Sequence, residues 1–170
     1  MLLDEWNDRY RSRDELDLTP ARLLTDFAAA LTPGRALDLA CGAGRNALWL
    51  AQQGWNVTAI DGAEEAIRLV REHDAGIDTR VLDLESDAPL PFEDDSFDLV
   101  VILYFLHRPL FAEAQRVVRP GGVVLTAIRT SGINPRFCLS LEELRGEFSG
   151  WEVLYAAAGD TAELVVRRWT

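Results

Sequence analysis

The 170-residue sequence contains no Lys. All 17 of its basic residues are Arg, set against 28 Asp and Glu, for a net charge of −11. Chemistry that needs a Lys amine is thereby excluded: the phosphate-gripping Lys of a P-loop, a Schiff base with pyridoxal or an aldol substrate, and a Ser-Lys dyad. The shortage of positive charge also argues against nucleic acid and anionic membrane as partners, because both are held by a basic patch. Three Arg do fall in the run Arg9 to Arg13, but Asp4, Glu5, Asp8, Asp14 and Glu15 surround it, so it reads as a mixed-charge helix face.

Cysteine is equally scarce. Cys41 and Cys138 stand far apart with no second pair, which leaves neither a disulfide framework nor a Zn site. The two His, His73 and His107, fall in different segments, so no metal-ligand cluster is expected. Long apolar runs are also missing. The longest, Leu99 to Leu106, falls far short of the ~20 residues a membrane helix needs, and the N-terminus is charged within four residues, unlike a signal peptide. The expectation is a cytoplasmic protein, a monomer or homodimer, forming one domain over residues 1–170, with 1–18 as an N-terminal lid helix and 19–170 as the core.

What the sequence does contain is an alternation of strand and helix signals. Apolar runs at Arg35 to Ala40, Trp55 to Ile60, Thr79 to Leu82 and Phe97 to Leu103 are separated by helical segments, a β-α-β-α order that predicts a parallel sheet covered by helices. Thr19 followed by Pro20 reads as an N-cap and first helical residue, opening a helix through Leu31. Ser140 and Glu143 form a capping box for a helix over Leu141 to Phe148. A helix from Arg108 to Val118 is expected to stop at Arg119-Pro120-Gly121-Gly122, ahead of a fifth strand over Val123 to Ile128. Glu152 to Ala156 and Glu163 to Arg168, split by Gly159-Asp160, predict an antiparallel hairpin. The expected fold is therefore α/β: a Rossmann-like, seven-stranded, mostly parallel sheet with helices on both faces and a C-terminal antiparallel hairpin.

The strongest chemical signal is Leu37-Asp38-Leu39-Ala40-Cys41-Gly42-Ala43-Gly44-Arg45-Asn46-Ala47, between the first strand and a helix. Gly42 and Gly44 allow a sharp turn and a close approach to ligand, and the free N–H groups opening the next helix favour an acidic or polar ligand group. Asp38, Asp61 and Asp83 sit at or near the ends of the first three strands. Gly42-x-Gly44-x-x-Ala47 with Asp61 also fits the dinucleotide fingerprint, so a truncated NAD-binding oxidoreductase is an alternative. The third acid, Asp83, and the short chain tilt the choice towards a ligand with an amino-acid end, a ribose and an adenine. Asp38 then meets the ammonium directly or through water, Asp61 grips both ribose hydroxyls, and Asp83 with the Leu84 N–H pairs with the adenine edge.

In this order and spacing the sequence resembles the class I S-adenosylmethionine-dependent methyltransferases. Leu37 to Gly44 is similar to their glycine turn, Ile60-Asp61 to the acid ending their second strand, Leu82-Asp83-Leu84 to their adenine-edge segment, and Phe97-Asp98-Leu99-Val100 to their fourth strand. Arg119-Pro120-Gly121-Gly122 is similar to the turn before their fifth. Gly44-Arg45-Asn46-Ala47 with the later Leu141-Glu142-Glu143-Leu144 and Gly150-Trp151-Glu152 looks most like the tellurite-resistance methyltransferase group and its small uncharacterised relatives. Ala40 departs from the family, which often has Gly there.

The resemblance implies S-adenosylmethionine as cofactor, in-line transfer of its methyl to a small-molecule acceptor, and no metal. It places Tyr10, Asp38, Ala40, Gly42, Gly44, Asn46, Asp61, Gly62, Asp83, Leu84 and Leu103 around the cofactor. On the acceptor side, Tyr104 is expected to line the methyl site, His107 to take a proton, and Arg108, Arg129 and Arg136 to contact an anionic acceptor. The plainer alternative has His107 packing the start of the next helix and Arg108 solvated. A soft acceptor such as a thiolate or a reduced chalcogen oxyanion needs no general base. A non-catalytic S-adenosylmethionine-binding regulatory module is the alternative of a different class.

Overall fold

The structure, a computed structural model, describes residues 2–12 and 15–170. Arg13 and Asp14 of the mixed-charge run lie outside the described residues. Seven strands form one mixed sheet in the order β3-β2-β1-β4-β5-β7-β6, the Rossmann-like arrangement expected. The chain divides into two compact units, residues 1–84 and 85–170.

The first unit holds α1 (Leu3–Arg11), α2 (Arg22–Ala28), β1 (Arg35–Leu39), α3 (Arg45–Gln52), β2 (Asn56–Asp61), α4 (Glu64–His73) and β3 (Asp78–Val81). β1 pairs in parallel with β2, Asp38 opposite Ala59, and β2 with β3. Beyond their first residues β1 and β2 are buried almost throughout, as continuous apolar strands of a parallel sheet must be. α4 turns Ala66, Ile67, Leu69 and Val70 inward and carries Glu64 and Glu65 in its first turn and Arg71 and His73 in its last, a charge order that suits its dipole.

One expected helix start is corrected. Thr19 does not cap α2, which begins at Arg22 after an N-cap Ala21 that makes no side-chain cap bond. The Ala21 N–H donates instead to Asn46 Oδ1 at 2.9 Å, and the Thr19 N–H to Asp17 Oδ1. A tertiary acceptor has replaced the local cap.

The second unit holds β4 (Phe97–Leu103), α5 (Pro109–Val117), β5 (Val118–Arg129), a 3₁₀ turn (Pro135–Phe137), α6 (Leu141–Glu147), β6 (Glu152–Ala158) and β7 (Thr161–Arg167). β4 and β5 run parallel, with Leu103 opposite Ala127, and β7 pairs antiparallel with both β5 and β6, closing the predicted hairpin. The Ser140–Glu143 capping box forms as expected. The fifth strand starts earlier than expected, at Val118, which pairs with Phe97 before the register shifts so that Val123 faces Leu99. Arg119-Pro120-Gly121-Gly122 is thus an irregularity inside the strand. Gly122 makes it possible: a Cβ there would stand 2.9 Å from Arg119 O and 3.0 Å from Asp98 O.

Candidate functional site

At the carboxyl ends of β1 and β2 the backbone is held in unusual shapes. Ala40 has φ +60, Gly42 +55 and Gly44 +91, three left-handed residues in five. Only the glycines adopt this without strain. Gly44 is the N-cap of α3 and is hemmed in, since a Cβ would lie 2.7 Å from Val70 Cγ2 on α4.

Two carboxylates flank this turn. Asp61 ends β2, and its Oδ2 accepts the Gly42 N–H and its Oδ1 the Ala63 N–H, each at 2.9 Å. The side chain therefore ties the turn to the strand end and is itself oriented by backbone donors. Asp38 is 1% exposed, and its Oδ2 has no partner although it is buried. Burial foremost, then the neighbouring Asp61 charge, pushes the Asp38 carboxyl up to about 7, against the pull of Arg45 and the Ala47 N–H. Burial also raises the Asp61 carboxyl, opposed by the N–H groups of Ala63, Gly42 and Gly62. A buried, unsatisfied acid oxygen costs free energy unless something completes it. A ligand with a cationic group does that.

α1, part of the segment expected as a lid, lies over the same turn, and besides Tyr10 it contributes Leu3 and Asn7, which the sequence did not single out. The Tyr10 hydroxyl sits where a Cβ on Gly42 would meet it at 2.8 Å, and Leu3 Cδ2 where a Cβ on Gly62 would meet it at 2.5 Å. Asn7 Oδ1 accepts the Glu65 N–H at 3.0 Å, capping α4 from another helix. Trp6 stacks on Tyr10 with ring centroids 6.1 Å apart, and Arg9 lies over the Trp6 ring. Asp83 is exposed after β3, and Leu84 beside it is buried. Asn46 is buried, and its Oδ1 accepts the Ala21 N–H.

In the second unit Leu103 is buried at the end of β4, and Tyr104, 48% exposed, follows it at φ +60. The Tyr104 N–H donates to Ala127 O at 2.7 Å. His107 lines a small open pocket with Ser86, Asp87, Pro89, Leu110 and Glu113, its Nε2 buried and without a partner. Its carbonyl accepts the Leu110 N–H at the start of α5. Arg108 is exposed, and its guanidinium pairs with Glu147 at 3.1 Å and Glu143 at 3.2 Å on α6. Arg129 and Arg136 are exposed. His73 is exposed in the last turn of α4, bonded to Leu69 O. Among the described residues no cluster of three or more His, Cys, Asp or Glu is arranged to hold a metal, and no helix is long and apolar enough to cross a membrane.

A glycine turn after β1, flanked by acids near the ends of β1 and β2 in a sheet of order β3-β2-β1-β4-β5-β7-β6, is the ligand-binding arrangement of a Rossmann-like sheet. Residues 37–126 match the family model described as a methyltransferase domain, and the chain belongs to that family, the S-adenosylmethionine-dependent methyltransferases of class I. It is similar to a demethylmenaquinone methyltransferase of Clavibacter sepedonicus, 40% identical over 111 residues that cover 61% of this chain and 45% of that protein. It is also similar to a probable S-adenosyl-L-methionine-dependent methyltransferase TehB of Haemophilus influenzae, 28% identical over 145 residues, 77% of this chain and 50% of that protein. The solved structure of TehB from Haemophilus influenzae has a TM-score of 0.78 at 21% identity, covering 97% of this chain and 66% of that one. The chain spans half or less of the length of these curated relatives.

Proposed function

We propose that the protein transfers a methyl group from S-adenosylmethionine to a small-molecule acceptor of the soft kind, a thiol or a chalcogen oxyanion. The observation that carries this reading is the buried Asp38 oxygen without a partner beside the glycine turn. Bound S-adenosylmethionine supplies an activated methyl on a sulfonium centre. Asp38 answers its cationic amino-acid end. Asp61, already oriented by Gly42 and Ala63, has lone pairs remaining for the ribose hydroxyls. Asp83 and the Leu84 N–H suit the adenine edge, and Tyr10 closes over Gly42. The residues' work is positioning, which contributes about 7 to 11 kcal/mol of a transfer barrier when geometry is near attack. A soft nucleophile such as a thiolate needs no base, and His107 is the candidate proton acceptor for a harder one. The protein acts as one cytoplasmic domain in this reading.

Thermal-shift titration tests it. Stabilisation by S-adenosylmethionine and S-adenosylhomocysteine but not by NAD is expected. A shift with NAD alone defeats the proposal. Methyl-labelled donor incubated with thiols, selenite and tellurite should then yield labelled product, and tight donor binding without any product would point to a regulatory module.

A further inference from the structure

We propose that the loop leaving β5 selects an organic acceptor that joins an apolar body to an anionic group, with Arg129 and Arg136 taking the anion and Tyr104, Ile133 and Phe137 the apolar part. This rests on the methyl-transfer reading above and narrows its acceptor.

Charge is distributed unevenly in the second unit. From Ala114 to Leu141 there is no acidic residue, while Arg116, Arg119, Arg129 and Arg136 all fall there, in a chain of net charge −11. Most Arg of this unit are spent on carboxylates: Arg108, Arg116, Arg119, Arg167 and Arg168 are ion-paired. Among the described residues Arg129, Arg136 and Arg145 pair with none, and the first two share one loop. The same loop carries Ile133, 108% exposed, and Phe137, 36% exposed, and Tyr104, 48% exposed, follows β4, the parallel neighbour of β5. The Arg136 guanidinium carbon lies 5.9 Å from the centre of the Phe137 ring.

The loop is built, not slack. Its stem is closed by the Leu139 N–H to Arg129 O at 2.9 Å, and Thr130 is bonded to the β6–β7 turn through its N–H to Asp160 O and its hydroxyl to Gly159 O. Asn134 Oδ1 accepts the Arg136 N–H and stiffens the 3₁₀ turn. Apolar side chains are therefore held outward at a cost in hydration that a ligand recovers. Tyr104 enters from the same carboxyl edge. Leu103 pairs with Ala127, and Tyr104 keeps a left-handed backbone, rare for an aromatic residue, through its N–H to Ala127 O. Strain of this kind persists where surrounding structure enforces it and gathers at ligand sites. A bare oxyanion leaves the three apolar side chains in water, and a polyanion meets repulsion from the rest of the chain. An amphiphilic monoanion satisfies both sets.

Four matched probes decide this: mercaptooctanoate, mercaptooctanol, mercaptopropionate and selenite, each assayed with labelled S-adenosylmethionine. The expected kcat/KM for mercaptooctanoate exceeds the other three by about tenfold or more, the scale of one charge-assisted contact or a few buried methylenes. Arg129→Ala with Arg136→Ala should bring mercaptooctanoate down to the level of mercaptooctanol, and Ile133→Ser with Phe137→Ser to the level of mercaptopropionate. Both double variants should keep the thermal midpoint and the shift with S-adenosylhomocysteine. Equal rates with acid and alcohol, a carboxylate preference that survives loss of both Arg, a preference for selenite, or no methylation of any probe would overturn the proposal. Loss of stabilisation by both donor and demethylated donor in the unaltered protein would instead sink the methyl-transfer reading beneath it.

Discussion

The Tyr10 hydroxyl rests against Gly42, close enough that a Cβ on the glycine would stand 2.8 Å from it. A side chain on α1 thus covers the turn that opens α3. Tyr10→Ala is expected to weaken S-adenosylmethionine binding about tenfold, the value of one hydrogen bond to a charged group, with little change in the unfolding midpoint, because no residue of α1 is buried. Isothermal titration checks it, and unchanged affinity would remove Tyr10 from the site.

Glycine itself is required at 44 more than at 42. At Gly42 a new methyl meets the far end of a Tyr side chain that can swing away, whereas at Gly44 it meets Val70, whose branched side chain has little freedom, at 2.7 Å. With φ +91 adding backbone strain, Gly44→Ala should cost about 2 kcal/mol or more in denaturant unfolding, and Gly42→Ala about 1.

Much of this was legible in the sequence, for reasons that also mark the limit. β1, β2 and β4 announce themselves because strands buried on both faces are continuous apolar runs, and an Asp inside one has no packing reason to be there, so Asp38 and Asp61 stood out as site residues. The Ser140 capping box was readable because both partners lie within one turn. What failed was non-local. Thr19 loses its cap role to Asn46, 25 residues beyond the N–H it serves, and Arg108 is bound by acids 35 and 39 residues away. Leu3 and Asn7 gave no signal, because α1 is mostly polar and exposes every residue at least in part.

Ala40 should be better as glycine. Its φ of +60 carries the left-handed penalty of about 1 to 2 kcal/mol, which exceeds the roughly 0.5 to 1 kcal/mol that a glycine adds to the freedom of the unfolded chain. Ala40→Gly is therefore expected to raise the unfolding midpoint by a few degrees. A lower midpoint would show that the neighbouring Cys41 N–H to Ile60 O bond does not hold this conformation against strain.

Asn46 is predicted to matter for stability more than for ligand. Asn46→Ala leaves the buried Ala21 N–H without its acceptor, a loss of about 1 to 3 kcal/mol in denaturant unfolding. Donor affinity, measured well below the unfolding midpoint, should change less than threefold. The opposite pattern, intact stability with lost affinity, would restore the cofactor-binding role that the sequence suggested.

In the folded protein the Asp38 carboxyl stands at about 7, above its ordinary 3.8, and the charged or titratable groups acting with it are Asp61 from β2, Arg45 from α3 and the buried Cys41 thiol of the turn. Between those two values the folded state keeps a proton that the unfolded chain has given up, so the stability it contributes is complete below the ordinary value and is lost as pH rises through about 7. The unfolding midpoint should accordingly fall between about pH 4 and pH 7, and Asp38→Asn should flatten that fall. Donor binding runs the other way. A cation beside Asp38 favours its ionised form, so affinity should tighten towards neutral pH, by up to about tenfold per unit, and level off above. Near pH 6 binding must then release a proton, and the titration enthalpy should differ between phosphate and imidazole-type buffers in proportion to their ionisation enthalpies. An enthalpy independent of buffer, in a protein that still binds the donor, would mean that Asp38 keeps its charge state when the site fills and is not the group that answers the donor's cation.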